Sequence, residues 1–252
     1  MALLELNEVV ISPVLSPFVD GLWFCQIEER GRLCLLPNAN TELLAFRTHY
    51  GNGLAFVGPM SAAHRTDVHP GDICVGARMK MGTRIVAQKY DYATLRDTRI
   101  YGRHFDHPAP RQFENDFALL QDPKEIVSKM EHLLLELTSE NLLVRDKLVD
   151  KFISIAYEHA GQISTEAAMT RIPLSLRQFR RRFMEYTGFT PKEFLVMCRR
   201  QSAIKDMKLR TGDTISDIAA TNGYTDHAHF TKDFRAAIGI TPITFEHELT
   251  IK

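Results

Sequence analysis

The chain contains no long uncharged apolar run, so nothing in it reads as a membrane span. Its opening residues, MALLELNEVV, lack a basic stretch followed by an apolar core, and no secretory leader is expected. Cysteine is sparse. Cys25, Cys34, Cys74 and Cys198 are scattered without CxxC spacing, which argues against a disulfide frame or a zinc site and for free thiols in a reducing, cytoplasmic compartment. None of the four has a clustered basic or histidine setting in the sequence, so a reactive thiol is not expected. G-x-S-x-G, Walker-type and dinucleotide-binding signatures are missing, and neither an enzyme nor a bound cofactor is expected. His49, His64, His69, His104 and His107 do not form the HxH-plus-Glu pattern of a β-barrel metal site. His227 and His229 do have HxH spacing, but residues two apart on a helix project about 200° from each other and do not share a metal.

Net charge is also lacking: 31 Lys and Arg balance 31 Asp and Glu. That neutrality hides an asymmetry. Residues 163–252 hold 14 basic against 10 acidic side chains, and residues 1–162 hold 17 against 21. The basic charge is concentrated further: Arg171, Arg177, Arg180, Arg181 and Arg182 lie in one short stretch with no acid among them. A neutral chain is compatible with nucleic-acid binding when its basic residues share a face. With 252 residues, 44% of them hydrophobic, the chain can build one large or two modest cores.

The first hundred residues read as short strands. Turn signals at Gly31, Pro37-Asn38, Gly51-Asn52-Gly53, Gly58-Pro59, Pro70-Gly71-Asp72 and Gly82 separate apolar stretches at 33–36, 43–46 and 73–76, which predicts an antiparallel sheet or small barrel. Residues 13–24 fit a short helix or a strand equally well. The polar, proline-containing stretch 104–112 reads as a connector. Asp122-Pro123 then looks like an N-cap followed by proline at the first helical position. Ile126, Met130, Leu133, Leu134 and Leu137 follow on one face, facing either the core or a second subunit. From there the pattern predicts helices at 143–159, 164–171, 175–187, 191–210, 214–222, 226–237 and 241–248. Ser164, Ser175, Thr190, Asp213 or Thr214, Thr225 or Asp226, and Thr241 are candidate caps. The fold class expected is α+β: a small β-rich, barrel-like domain over 1–120, a connecting helix over 121–142 and an all-α domain over 143–252.

Within the helical half a block occurs twice. Phe179-x3-Phe183-x4-Gly188-x-Thr190-Pro191 is repeated 51 residues later as Phe230-x3-Phe234-x4-Gly239-x-Thr241-Pro242. The register extends upstream, where Ala168 matches Ala219. Such a period means one supersecondary unit used twice. Each copy has the parts of a helix-turn-helix: small residues (Ala167, Ala168; Ala219, Ala220), a turn, and an apolar stripe on the second helix. The stripes are Leu176, Phe179 and Phe183 in one unit, and Phe230 and Phe234 with Tyr224 in the other. The turn is Asn222-Gly223 in the second unit and the less typical Ile172-Pro173 in the first. Opposite the first stripe lie Arg177, Arg180, Arg181 and Met184, and arginine suits bidentate contact with guanine. Opposite the second lie His227, Ala228, Thr231 and Lys232, which offer a hydrogen bond, a methyl contact and a phosphate contact.

Residues 143–248, and above all LSLRQFRRRFMEYTGFTPKEFL (174–195) and ISDIAATNGYTDHAHFTKDFRAAIGITPITF (215–245), resemble the DNA-binding domain of the AraC/XylS family of bacterial transcription regulators. The resemblance implies a seven-helix domain whose long helix near 191–210 holds two recognition helices in successive major-groove segments. Carried over by position, the DNA-binding residues are Arg177, Arg180, Arg181, His227, Ala228, Thr231 and Lys232. It also implies an activator that works with RNA polymerase. Ile172-Pro173 departs from the small turn residue that members of the family often have. More weakly, 37–44, Val57-Gly58-Pro59 and 76–79 resemble the β-rich domains that precede this module, which sense a small molecule, bind a protein partner or form a homodimer. The alternative from another class is a ligand- or metal-binding β-barrel protein whose helical half is a protein-interaction module.

Overall fold

In the computed structural model, residues 7–86, 92–209 and 212–250 are described. The expectations about the first six residues and about a helix reaching residue 210 fall outside them. Ten short strands and nine α-helices, with two short 3-10 turns, are assigned among these residues. The strands of the β-rich half are β1 (Asn7–Val9), β2 (Val19–Gln26), β3 (Gly31–Leu35), β4 (Glu42–Thr48), β5 (Gly51–Val57), β6 (His64–Val68), β7 (Ile73–Met79), β8 (Arg84–Ile85) and β9 (Arg99–Tyr101). Six form one antiparallel sheet in the order β1-β2-β7-β4-β5-β9, and β3 pairs separately with β6. Residues 13–24, open between helix and strand in the sequence, form a turn that runs into β2.

Residues directly opposite each other in antiparallel strands project to the same side. Leu22, Ala77, Leu43 and Phe56 therefore make one apolar row across the sheet, and Phe24, Val75, Ala45 and Leu54 the next. All eight are buried. Two helices cover this face, α1 (Pro108–Leu119) and α2 (Pro123–Ser139). Ile126, Met130, Leu133, Leu134 and Leu137 of α2 are buried in the same core, which resolves the choice between core and subunit contact toward the core. This cover also explains a difference from the expected barrel. Among the described residues the sheet stays open, with β1 and β9 at its two edges, because helices bury its apolar side and closure is not needed.

Two further expectations fail locally. The stretch at 104–112 is no simple connector: α1 starts at Pro108, with the His107 ring accepting from the Ala109 N–H. Pro108 and Pro110 fall in the first turn, where backbone N–H groups have no helical acceptor, so they begin a helix instead of breaking one. The helix expected from 143 begins only at Lys147, as α3 (Lys147–Glu158). Leu143–Val144 form β10, paired with β8, and Asp146 caps α3 by accepting from the Leu148 and Val149 N–H groups.

The remaining helices are α4 (Thr165–Met169), α5 (Leu176–Thr187), α6 (Pro191–Leu209), α7 (Ile215–Thr221), α8 (His227–Ile238) and α9 (Pro242–Thr250). Ser164, Ser175, Thr214 and Asp226 are the observed caps of α4, α5, α7 and α8. Gly188 and Gly239 close α5 and α8 at φ 71° and 85°, a left-handed geometry that favours glycine. The repeat is written into the packing. Phe183 meets Phe179 at 5.5 Å and Phe194 at 5.4 Å; 51 residues on, Phe234 meets Phe230 at 5.5 Å and Phe245 at 5.4 Å. Ala168 and Ala219 lie buried beside these triads, whereas Ala167, Ala220 and Leu176 are exposed and contribute nothing to the stripes. Helix α6 feeds both cores, giving Phe194, Leu195, Met197 and Cys198 to the first and Ala203, Ile204 and Met207 to the second.

The β-rich half grips this pair at matching points. Gly188 lies against Pro59 and the Tyr92 carbonyl, and Arg96 stacks on Phe189 while pairing with Glu193 at 2.8 Å. At the other unit the Ala63 N–H donates to the Ala237 carbonyl at 2.7 Å and Arg65 donates to the Ile238 carbonyl. Burial alone would raise the Glu193 carboxyl, but hydrogen bonds from Arg96 and Thr190 outweigh it and hold its pKa below the ordinary value.

Phe183→Ala removes a fully buried ring that touches three others and should destabilise the chain by about 3–5 kcal/mol, read as a lower urea midpoint.

Candidate nucleic-acid interface

Helix α5 begins in a reciprocal cap: Gln178 N–H donates to the Ser175 hydroxyl, and the Ser175 N–H donates to the Gln178 side chain. That lock fixes the phase of the helix. Phe179 and Phe183 then turn inward, and Arg177, Arg180 and Arg181 turn to solvent. Their spacing, i, i+3 and i+4, puts the three guanidinium groups on one face. Arg182, part of the same basic run, is taken out of that set. It donates to the Asp146 carboxylate at 2.6 Å, and Asp146 is buried at the start of α3. Arg171, exposed, lies 3.7 Å from Glu158. Arg180 also borders a hollow of about 270 Å³ with Ser61, Arg96, Thr190 and Lys192.

Helix α8 carries the second set. Asp226 accepts from the His229 N–H at 2.7 Å and starts the helix. His227, Ala228, Thr231 and Lys232 line an open hollow of about 620 Å³. The structure adds Arg235 and Ala236 to that face. The same helical period runs on to them, one turn past Thr231 and Lys232, so the sequence held the signal. Thr231 departs in one respect. Its hydroxyl oxygen is buried without a hydrogen-bond partner, so carbon atoms form its share of the lining and the hydroxyl is not presented. His229 turns away from His227 and meets the Tyr224 ring edge-on at 5.4 Å.

The turns leading into the two helices differ. The first unit spans 170–175 and plugs Ile172 into its core, and the second spans 222–226. In the second, Asn222 is 1% exposed and donates to Asp206 at 2.7 Å and to the Ile218 carbonyl. An ion pair fastens α8 to the long helix: Arg200 forks onto both oxygens of Asp233 at 3.0 and 2.9 Å, and the Tyr224 hydroxyl donates to the same carboxylate at 3.0 Å. Burial, then the neighbouring Asp233 charge, pushes the Tyr224 phenol above its usual range, so it stays a donor at neutral pH.

Among the described residues, the other chemistry-bearing groups are tied up by burial or by hydrogen bonds. Burial pushes the Cys25 thiol up to about 11 and Cys74 and Cys198 up to about 12, which keeps thiolate scarce. His107, Glu136 and Glu140 bring ligand atoms within 4.8 Å of one another. The His107 Nδ1 already accepts from Ala109, so its Nε2 carries the proton toward Glu140 and offers no lone pair to a cation. No described helix is long and apolar enough to cross a membrane.

Residues 169–248 match the family model described as a helix-turn-helix domain. This half of the chain is similar to the DNA-binding domains of AraC/XylS-type regulators. It is 33% identical over 115 residues to the HTH-type transcriptional activator RhaS of Escherichia fergusonii, covering 44% of this chain and 41% of that one. A second relative, the HTH-type regulator YidL of Escherichia coli, is 33% identical over 37% of this chain and 32% of its own length. The chain thus spans well under half the length of these curated relatives. Among solved structures, ToxT from Vibrio cholerae aligns over 91% of this chain and 97% of its own, at 9% identity and a TM-score of 0.49. The matched residues include the recognition-helix block of both repeat units.

Arg182→Ala should lower the thermal midpoint, because it strands the buried Asp146 carboxylate. Arg181→Ala, a change at a solvent-facing side chain, should leave that midpoint within experimental error; thermal unfolding of the two variants side by side checks the contrast.

Proposed function

We propose that this chain is a sequence-specific transcription regulator that binds double-stranded DNA, with α5 and α8 entering successive major-groove segments. The reading rests above all on the outward face of α5, where Arg177, Arg180 and Arg181 are held in phase by a capped helix and stay free of the ion pair that takes up Arg182. Arginine forks match the guanine edge, and a helix has the diameter of the groove. On α8, His227, Ala228, Lys232 and Arg235 supply lighter polar contacts, and the carbon face of Thr231 suits a thymine methyl. The first unit then carries more of the affinity.

Residues 1–120 are the regulatory part in this reading, 121–142 the connecting helix and 143–252 the DNA-binding part. The regulatory part senses a small molecule or protein partner, or pairs two copies. Activation through RNA polymerase is the direction proposed, in keeping with the activator named among the relatives.

The test is duplex binding by the full chain, with preferred sites selected from random DNA. Removing Arg177, Arg180 and Arg181 together should weaken selected-site binding by about 1–3 kcal/mol per lost bidentate contact. Wild-type affinity should also fall steeply as salt rises. Unchanged affinity in the triple variant at fixed salt, or a flat salt profile, overturns the reading.

A further inference from the structure

Two units joined by one helix can still rotate about it. Helix α6 joins these two, but a second contact lies away from its packed face. The loop after α3, at Ala160, Gly161 and Gln162, meets the turn between α7 and α8. The Gln162 side-chain amide donates to the Thr221 carbonyl at 2.9 Å. The Arg199 guanidinium, carried on α6, lies over the Tyr224 ring at 5.7 Å and forks between the units. One arm donates to the Gly223 carbonyl at 3.2 Å, and the other to the Gly161 carbonyl at 3.3 Å. Both acceptors sit on glycines with left-handed φ, 72° and 70°. A side chain at Gly161 would strike the Leu195 carbonyl, and one at Gly223 would come within 2.8 Å of the Gln162 amide oxygen. Gly161 thus packs on the backbone of α6, and Gly223 on the Gln162 side chain.

We infer that Arg199, with Gln162, is a positioning residue that sets the separation of the two recognition helices and thereby the half-site spacing the protein accepts. This rests on the DNA-binding reading above. The seam acts close to the reading surface: Tyr224 follows Gly223, holds Asp233 through its hydroxyl and precedes the start of α8 by three residues. On the other side, Gly161 and Gln162 lead into α4 of the first unit. A planar fork reaches two carbonyls at once, whereas a lysine ammonium is a single point charge on a flexible stem. On DNA, one added base pair moves a half-site by about 3.4 Å along the axis and turns it by about 35°. A pair of helices braced at two points does not follow that move; a pair hinged on α6 alone does.

The experiment compares affinities, at one salt concentration, for a duplex carrying both selected half-sites and for the same duplex with one base pair inserted or removed between them. Wild type should bind the altered duplexes at least about tenfold more weakly. Arg199→Ala should compress that ratio to about threefold or less, and Arg199→Lys should fall between the two. Gln162→Ala, a change at an exposed side chain, carries the test should Arg199→Ala fail to fold. Affinity for a duplex with the first half-site alone should be the same in all the folded proteins, which a general loss of structure would not allow. Full discrimination retained in Arg199→Lys and Gln162→Ala overturns the inference, as does wild-type binding that ignores spacing. A wild type that binds no duplex overturns the DNA-binding reading itself.

Discussion

Helix α6 belongs to two hydrophobic cores at once, and the helical half depends on that sharing. Its first turns close the Phe179–Phe183–Phe194 cluster, and its later turns close the core around Phe230, Phe234 and Phe245. A unit of this size buries too little surface to stand alone, however many large side chains it carries. The polar groups of α6 then restrict what the apolar packing leaves free. Arg200 fixes α8 through both oxygens of Asp233, and Asp206 holds the turn at Asn222. Hydrophobic contact is nondirectional, so these bonds supply the angular definition between α8 and the long helix.

Among the contacts between the β-rich half and this assembly, two fall at equivalent points of the repeat. Gly188 and Gly239 end the two outward-facing helices, and each lies against the β-rich half, one near Tyr92 and Pro59, the other near Arg65. Backbone carbonyls at a helix C-terminus have no acceptor role left within the helix. The Ala63 N–H and the Arg65 guanidinium use those of α8. At the first unit the contact is made by side chains, with Arg96 between Phe189 and Glu193 and Arg84 over Tyr186. A displacement of the β-rich half would therefore be felt at both units, through different chemistry at each.

Much of the helical half was legible in the sequence, because its signals are local. Caps, C-terminal glycines and the spacing of phenylalanines act over one or two turns, and Ser175, Gly188, Phe179 and Phe183 do what their types and intervals imply. The β-rich half was legible as strands but not as an arrangement. Pro108 and Pro110 carried the same turn-forming appearance as the prolines of real loops, and only the His107 cap distinguishes a helix start there. Leu143–Val144 read as the beginning of α3 until pairing with β8 took them. At the interface, Arg182 could not be separated from Arg181 by sequence, since the partner that claims it, Asp146, lies 36 residues away.

The sequence by itself determined that one helix-turn-helix pattern is repeated, where its glycine-closed helices end, and which phenylalanines turn inward, because all of these follow from periodicity and from backbone groups that need nearby partners. The tertiary structure alone decided which of those side chains remain free, whether the Thr231 hydroxyl is presented, and how the two units are braced against each other. Those outcomes depend on contacts between segments far apart in the chain, such as Arg182 with Asp146 and Arg199 with Gly161 and Gly223, and no local pattern encodes the distance between them.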